Sequence, residues 1–291
     1  MKAPQPAGLF SAQQQRSVSQ RGESYYKLAL EQFRQNQFRQ ASRLAQMALS
    51  EDQENASYHH LYGLTLAALD QGQEAVGHLR SAIQLDEGNP GLYNDLGVVL
   101  LRSQRPQEAL QAFTKAVELD PDYLTAHLYL GRLYHNASRS DLALEHFQAI
   151  ANRDPRFPGV HYHLAKVYLN NGQPEQARQS LRSEVRLYPQ NAQARMELGE
   201  LLEQQGETDE ALTHLLTAKQ LQPEMPRLHL VLAKTYRDLG RMEEALEAGL
   251  EEARLHPKDA AAHYLLAQLY RDLGQVDKAA EELKKFQQLR N

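Results

Sequence analysis

Small and apolar residues recur along this chain at one fixed interval. Ala41, Ala75, Ala109, Ala143, Ala177, Ala211, Ala245 and Ala279 are each separated by 34 residues, with no insertion or deletion between them. Twelve residues before each stands Gly or Ala: Ala29, Gly63, Gly97, Gly131, Ala165, Gly199, Ala233 and Ala267. One residue earlier lies a large side chain, Leu28, Tyr62, Leu96, Leu130, Leu164, Leu198, Leu232 or Leu266. Between the two small columns the pattern breaks at Asn36, Gly172, Gly206, Gly240 and Gly274, and Pro121, Pro155, Pro189, Pro223 and Pro257 close five of the units. Each unit therefore predicts a helix, a short turn, a second helix and a proline that cannot continue a helix interior.

The small columns have a steric meaning. A side chain larger than methyl holds two crossing helices apart, so Gly or Ala on the first helix facing Ala on the second marks their contact line. Glycine inside a helix costs roughly 1 kcal/mol relative to alanine, a cost that close packing offsets. A helix–turn–helix unit of 34 residues with Leu-Gly, an aromatic or Leu three residues on (Leu100, Tyr134, Leu202, Tyr236, Tyr270), Ala in the second helix and a closing Pro resembles the tetratricopeptide repeat. Units start near Gly22, Ala56, Pro90, Leu124, Pro158, Ala192, Pro226 and Ala260, and the resemblance spans residues 22–291 as one domain of eight repeats. It implies an all-α fold, a right-handed α-solenoid or superhelix.

The units also depart from that family. Its aromatic at the fourth position is here Tyr25, His59, Tyr93, His127, His161, Arg195, His229 or His263. A late alanine column of the second helix holds Ala48, Ala82, Ala116 and Ala218, but Ile150, Glu184 and Glu252 interrupt it. The two carboxylates stand where the next repeat should press, which predicts wetter and softer junctions after them. Ahead of the repeats, residues 1–21 are rich in Gln, Ser, Ala and Pro and predict a weakly ordered or disordered leader. Lys2 is followed by Ala-Pro-Gln-Pro in place of an apolar stretch, so the leader does not read as a secretory signal. Leu9 and Phe10 either float in that tail or dock into a groove of this chain or a neighbour. The last helix either caps itself with Glu281, Glu282, Lys284, Lys285, Gln287 and Gln288 or, if Leu283, Phe286 and Leu289 stay exposed, offers a self-association surface.

Composition narrows the chemistry. A formal net charge of −5 supplies no field to attract nucleic acid or anionic lipid. The absence of cysteine removes disulfides, thiolate zinc and a cysteine nucleophile. Apolar runs such as Val98–Leu101 fall far short of the roughly 18 residues of a membrane-spanning helix. That predicts a chain without direct membrane insertion, with the cytoplasm as default location. A mean hydropathy of −0.64 suits a thin structure in which most residues lie near water. Five of the 12 histidines (His59, His127, His161, His229, His263) occupy one slot per repeat, too far apart to share an ion, and read as packing residues. No phosphate loop, nucleophile elbow or His-Glu-x-x-His is present. The expectation is a protein that is not an enzyme and needs no metal or cofactor.

The resemblance implies that first-helix positions two, five, nine, twelve and thirteen line a concave, peptide-binding groove. In the first three repeats these include Tyr26, Leu30, Phe33, His60, Leu64, Ala67, Val98 and Leu101, largely apolar. Later repeats present Arg132, His135, Asn136, Tyr162, Lys166, Asn170, Lys234, Arg237 and Arg271, with Glu200, Glu203, Asp238 and Asp272 between them. The apolar stretch is either a dock for an amphipathic helix or extended apolar peptide or a surface that the tail and a tighter curl of the superhelix cover. The charged stretch either fixes a peptide or is a solvated wall. Family members that clamp chaperone C-termini carry Lys at position five and Asn at position nine; neither column holds them here. The expected function is a protein-interaction adaptor binding a peptide segment or amphipathic helix. The alternatives are a scaffold that forms homo-oligomers through the N-terminal tail or the C-terminal helix, and an accessory subunit of a cell-envelope, secretion or glycosyltransferase assembly.

Overall fold

The computed structural model describes residues 12–290, which form sixteen α-helices in two compact units divided between Arg153 and Asp154. The first unit contains the helix pairs α1 (Ala12–Arg34) and α2 (Phe38–Glu51), α3 (Ala56–Ala68) and α4 (Gly72–Leu85), α5 (Pro90–Arg102) and α6 (Pro106–Leu119), and α7 (Leu124–Asn136) and α8 (Ser140–Arg153). The second contains α9 (Val160–Asn170) and α10 (Pro174–Leu187), α11 (Ala192–Gln204) and α12 (Thr208–Leu221), α13 (Leu228–Asp238) and α14 (Met242–Leu255), and α15 (Ala260–Asp272) and α16 (Val276–Arg290). In both units the second helix of a pair packs on the first helix of the next, giving an all-α solenoid. First helices of successive pairs also approach one another, α1 to α3 to α5 and α11 to α13 to α15, so they form the inner face of each unit.

The contact line lies where the small columns predict. Ala41 to Ala245 of the alanine column are all fully buried. A methyl built on Gly97 or Gly131 would meet the ring of Phe113 or Phe147 at 2.6 Å, and one on Gly199 would meet Leu215 at the same distance. The large partner stands sixteen residues after the glycine. At Ala29 and Ala233 the partner shrinks to Ala45 or Gly249, whereas Ala165 and Ala267 keep Leu181 and Leu283. At the crossings of Ala29 and Ala233 volume is thus shared between the facing residues, as close packing requires. In the last pair, Ala279 is only half-buried and Leu283 is 40% exposed, because no further helix lies on the second flank of α16 among the described residues.

The turn inside every pair has one left-handed residue, again at the 34-residue interval. Gly172, Gly206, Gly240 and Gly274 serve the second unit, whereas Asn36, Asp70, Gln104 and Ser138 adopt φ of 59°, 61°, 58° and 57° in the first. At all eight, the following amide donates to the carbonyl five residues back, as Gln71 does to Leu66 (2.9 Å) and Arg241 to Tyr236 (2.9 Å). This Schellman closure satisfies carbonyls the helix end would otherwise orphan, and it accommodates a non-glycine residue at a cost.

Two expectations are corrected. Residues 12–21, assigned to a weakly ordered leader, form the start of α1. Gln, Arg and Ala are good helix formers, and Gly22 is buried against Tyr58 and Glu51 where this extension joins the first pair. The rest of the leader, including Leu9 and Phe10, lies outside the described residues. Glu184 and Glu252 are not wet defects: they are 1% and 0% exposed. Helices α3, α5, α11 and α15 are capped by the side chains of Asn55, Asn89, Asn191 and Asp259, but α9 and α13 start later, after left-handed Gly159 (φ 77°) and Arg227 (φ 68°), without a side-chain cap. The glutamates fill that role from the paired second helix. Glu252 accepts from the amides of Arg227 and Leu230 (both 3.1 Å), and Glu184 accepts from the amide of Tyr162 (3.3 Å) and from Asn191 Nδ2 (2.9 Å). A carboxylate at a helix N-terminus also meets the positive end of its dipole.

Glu252→Ala should therefore lose about 3 kcal/mol of stability, because it strands two buried amides. Glu252→Gln should recover part of the loss, and exposed Glu243→Ala should stay within about 0.5 kcal/mol of the parent. Denaturant unfolding compares the three; equal midpoints for Glu252→Ala and Glu243→Ala would contradict the capping role.

Candidate functional site

On the inner face of the first unit, Tyr26, Leu30, Phe33, Leu64, Val98 and Leu101 are half-buried. Leu30 and Phe33 rest on the buried cluster of Ala29, Ala45 and Leu61, and Val98 and Leu101 on that of Leu96 and Leu100. The Tyr26 ring packs 5.4 Å from that of Tyr58. These groups present an apolar strip without fully leaving the core. His60 is not a free polar group: its Nε2 lies 2.7 Å from Asp95 Oδ2. Arg132 and Asn136 are exposed, with the Arg132 guanidinium 5.8 Å from the centre of the Tyr129 ring, and His135 is half-buried beside them in sequence.

In the second unit the inner face contains a cavity of about 460 Å³ lined by Lys166 and Asn170 from α9, by Gln193, Glu197, Glu200 and Gln204 from α11, and by Arg227. Glu197 organises it. Its Oε1 accepts from Tyr162 Oη (2.7 Å) and Gln193 Nε2 (3.0 Å), while Lys166 Nζ lies 3.8 Å away. Burial, then the bond to Glu197, pushes the Tyr162 phenol well above its ordinary range, so it remains a donor. Arg227 Nη2 reaches Glu200 Oε1 at 2.5 Å. Further along, Arg237 donates to Gln268 (2.8 Å), and Arg271 Nε lies 3.9 Å from Asp272. Burial raises the Glu203 carboxyl, an effect that Asp238 and Glu200 reinforce and that Lys234 and Arg237 oppose.

The structure thus brings Lys166 and Asn170 into one cavity, with Tyr162 bonded to its Glu197, and places Lys234, Arg237 and Arg271 on later first helices with polar partners at hand. Sequence reasoning missed Asp95, Gln193, Glu197 and Arg227. His60–Asp95 and Tyr162–Glu197 both span 35 residues, position five of one repeat to position six of the next. A search confined to the 34-residue columns does not pair them, although a carboxylate at position six was a usable signal.

The histidine column has a shared geometry. Nε2 of His59, His127, His161, His229 and His263 lies 2.8–3.3 Å from the carbonyl oxygen six residues earlier, and Arg195 donates to Pro189 in the same way. That nitrogen must carry the proton, which leaves Nδ1 as an acceptor in the neutral ring. Nδ1 of His59 meets Nδ1 of His78 at 3.0 Å, and Nδ1 of His127 meets Nδ1 of His146 at 2.9 Å, so His78 and His146 donate. Nδ1 of His263 faces Glu282 Oε2 at 2.6 Å. Among the described residues no group of three or more His, Asp or Glu is placed to hold a metal ion, and no helix is long and apolar enough to cross a membrane.

The family model described as tetratricopeptide repeat matches residues 26–90, 94–159, 162–226, 215–259 and 230–290. Among solved structures, YrrB, described as a TPR protein with an unusual peptide-binding site, is 24% identical, with 63% of this chain and 95% of that one covered and a TM-score of 0.56. MamA from Desulfovibrio magneticus RS-1, residues 41 to the end, is 19% identical over 58% and 96% of the two chains, with a TM-score of 0.53. A tetratricopeptide repeat protein from Parabacteroides merdae is 14% identical over 86% and 98%, with a TM-score of 0.60. These likenesses concern the fold. No curated protein matches the chain.

Burial, then the neighbouring His59 or His127, lowers the His78 and His146 imidazoles below the ordinary value of about 6.5. The native state then binds fewer protons than the unfolded chain just below that value, so this contribution to stability is present above about pH 6.5 and is lost as pH falls through the native values. Melting temperature should drop between pH 7.5 and 5.5, and the fall should be shallower in His78→Asn/His146→Asn, where an amide can replace the donating Nδ1–H. Identical pH slopes would show that the pairs play no part.

Proposed function

Because the chain belongs to the tetratricopeptide repeat family, we propose that it is a non-catalytic adaptor that holds an extended peptide segment of a partner protein on the inner faces of its units. The cavity of the second unit carries this reading. Its two acids and two cations already pair with one another, whereas the carboxamides of Asn170 and Gln204 stand exposed at its wall. Amides of this kind suit the alternating donors and acceptors of an extended backbone. The peptide-binding site named for YrrB, a protein of the same fold, is consistent with such a use. The apolar strip of Tyr26, Leu30 and Leu64 offers the first unit a place for apolar side chains.

A second reading, self-association, draws on α15 and α16: Val276 is 70% exposed, and Tyr264, Leu283 and Leu289 are also exposed, while Phe286 is half-buried with its ring 5.0 Å from that of Tyr264. Selection from a displayed peptide library separates the two readings when the intact chain is compared with Asn170→Ala/Gln204→Ala. The adaptor reading predicts enriched sequences whose affinity falls about tenfold, roughly 1.4 kcal/mol, in the double variant. No enrichment, together with particle mass that grows with concentration in light scattering, would favour the scaffold.

A further inference from the structure

The histidine latch is incomplete at His161 and at His229; nineteen residues after His161 stands Ser180, whose hydroxyl donates to the Gln176 carbonyl instead. Nineteen residues after His59, His127 and His263 stand His78, His146 and Glu282, each contacting Nδ1. Nineteen residues after His229 stands Ala248, whose methyl offers nothing. His229 is only 2% exposed; its Nε2 donates to the Pro223 carbonyl at 2.8 Å, which leaves the Nδ1 lone pair buried without a partner. A buried acceptor in that condition asks for a donor.

The space beside it is built for one. His229 and Ala248 line a cavity of about 600 Å³ between α12 and α14. Four carboxylates reach its wall. Glu244 is held by Arg241 (2.6 Å) and Glu251 by Arg254 (2.7 Å), whereas Glu224 and Glu247 enter no ion pair among the described residues, with Arg254 within electrostatic reach of Glu224. Lys219 and Arg254 are the cations at the wall, so the lining carries 4 − 2 = 2 excess negative charges. Leu250, 45% exposed, adds an apolar ledge beside Glu247 and Glu251. An anion meets the wrong charge, and among the described residues His229 has no companion ligands for a metal ion.

We propose that this cavity receives a basic side chain, a Lys ammonium or an Arg guanidinium, from a segment of a partner protein. The alkyl stem lies on Leu250, the charge is answered by Glu224 and Glu247, and an N–H takes the place at His229 Nδ1 that His78 or His146 holds in other repeats, once the side chains that close that nitrogen off from solvent turn aside. The site is separate from the inner faces and does not depend on the peptide reading given above.

The test follows the imidazole nitrogens of the intact, ¹⁵N-labelled chain by NMR during titration with the capped tripeptides Gly-Lys-Gly, Gly-Arg-Gly and Gly-Gln-Gly. The Lys or Arg peptide should shift the His229 Nδ1 resonance saturably, and the Gln peptide should leave it unmoved. Ala248→His, which completes the latch from within, should abolish the response. Glu224→Gln/Glu247→Gln, two changes at exposed side chains, should weaken it at least tenfold without altering the melting temperature. The proposal fails if no basic peptide moves Nδ1, if the Gln peptide moves it equally, or if the response survives in the Glu224→Gln/Glu247→Gln chain.

Discussion

The close approach of two helices at a single point in each pair is the constraint on which the remaining structure depends. Glycine at 97 or 131 lets the ring of Phe113 or Phe147 lie against backbone, and the rest of the pair is arranged around that contact. Bringing the backbones together buries the Leu column beyond the first pair, with Leu130, Leu198, Leu232 and Leu266 at no more than 1% exposure, while Leu28 of the first pair stays exposed. It also leaves the second helix flat enough, through its alanines, to take the first helix of the next pair. An array with few large aromatics and no disulfide can then be held by a sum of similar local crossings.

Once the crossings are set, the loops between repeats need ends for their polar groups. The fourth-position histidines and Arg195 supply this by holding a carbonyl of the preceding loop. Asn and Asp cap four of the first helices, and where two helices start late a glutamate from the paired helix enters the core to replace them. Inner-face residues are left with little structural duty beyond bridges such as Tyr162–Glu197, which stiffen neighbouring first helices without closing the face. A preformed surface of this kind binds with less ordering cost than a flexible one.

Steric requirements were legible in the amino-acid sequence because they restrict residue type: only Gly or Ala fits the crossing, and a period of 34 exposes it. Requirements that several residue types can meet were less visible. The left-handed turn position reads clearly at Gly172 but not at Gln104 or Ser138, since hydrogen bonding holds those residues there despite their side chains. Glu184 and Glu252 looked like damage to a column because their partners are amides, which carry no residue identity. The inner-face cations looked available because the acids beside them, Glu197 above all, sit off the repeating positions. Asn170 and Lys166 were readable as lining; the Glu197 carboxylate beside Lys166 was not.

A double-mutant cycle at the Gly131–Phe147 crossing measures the central constraint directly, using thermodynamic stabilities of Gly131→Ala, Phe147→Leu and the two together. If shared volume governs the crossing, Gly131→Ala alone should cost about 2 kcal/mol by overpacking, and in the Phe147→Leu background most of that cost should disappear, a coupling of at least about 1 kcal/mol. Additive losses, or a Gly131→Ala chain as stable as the parent, would contradict it.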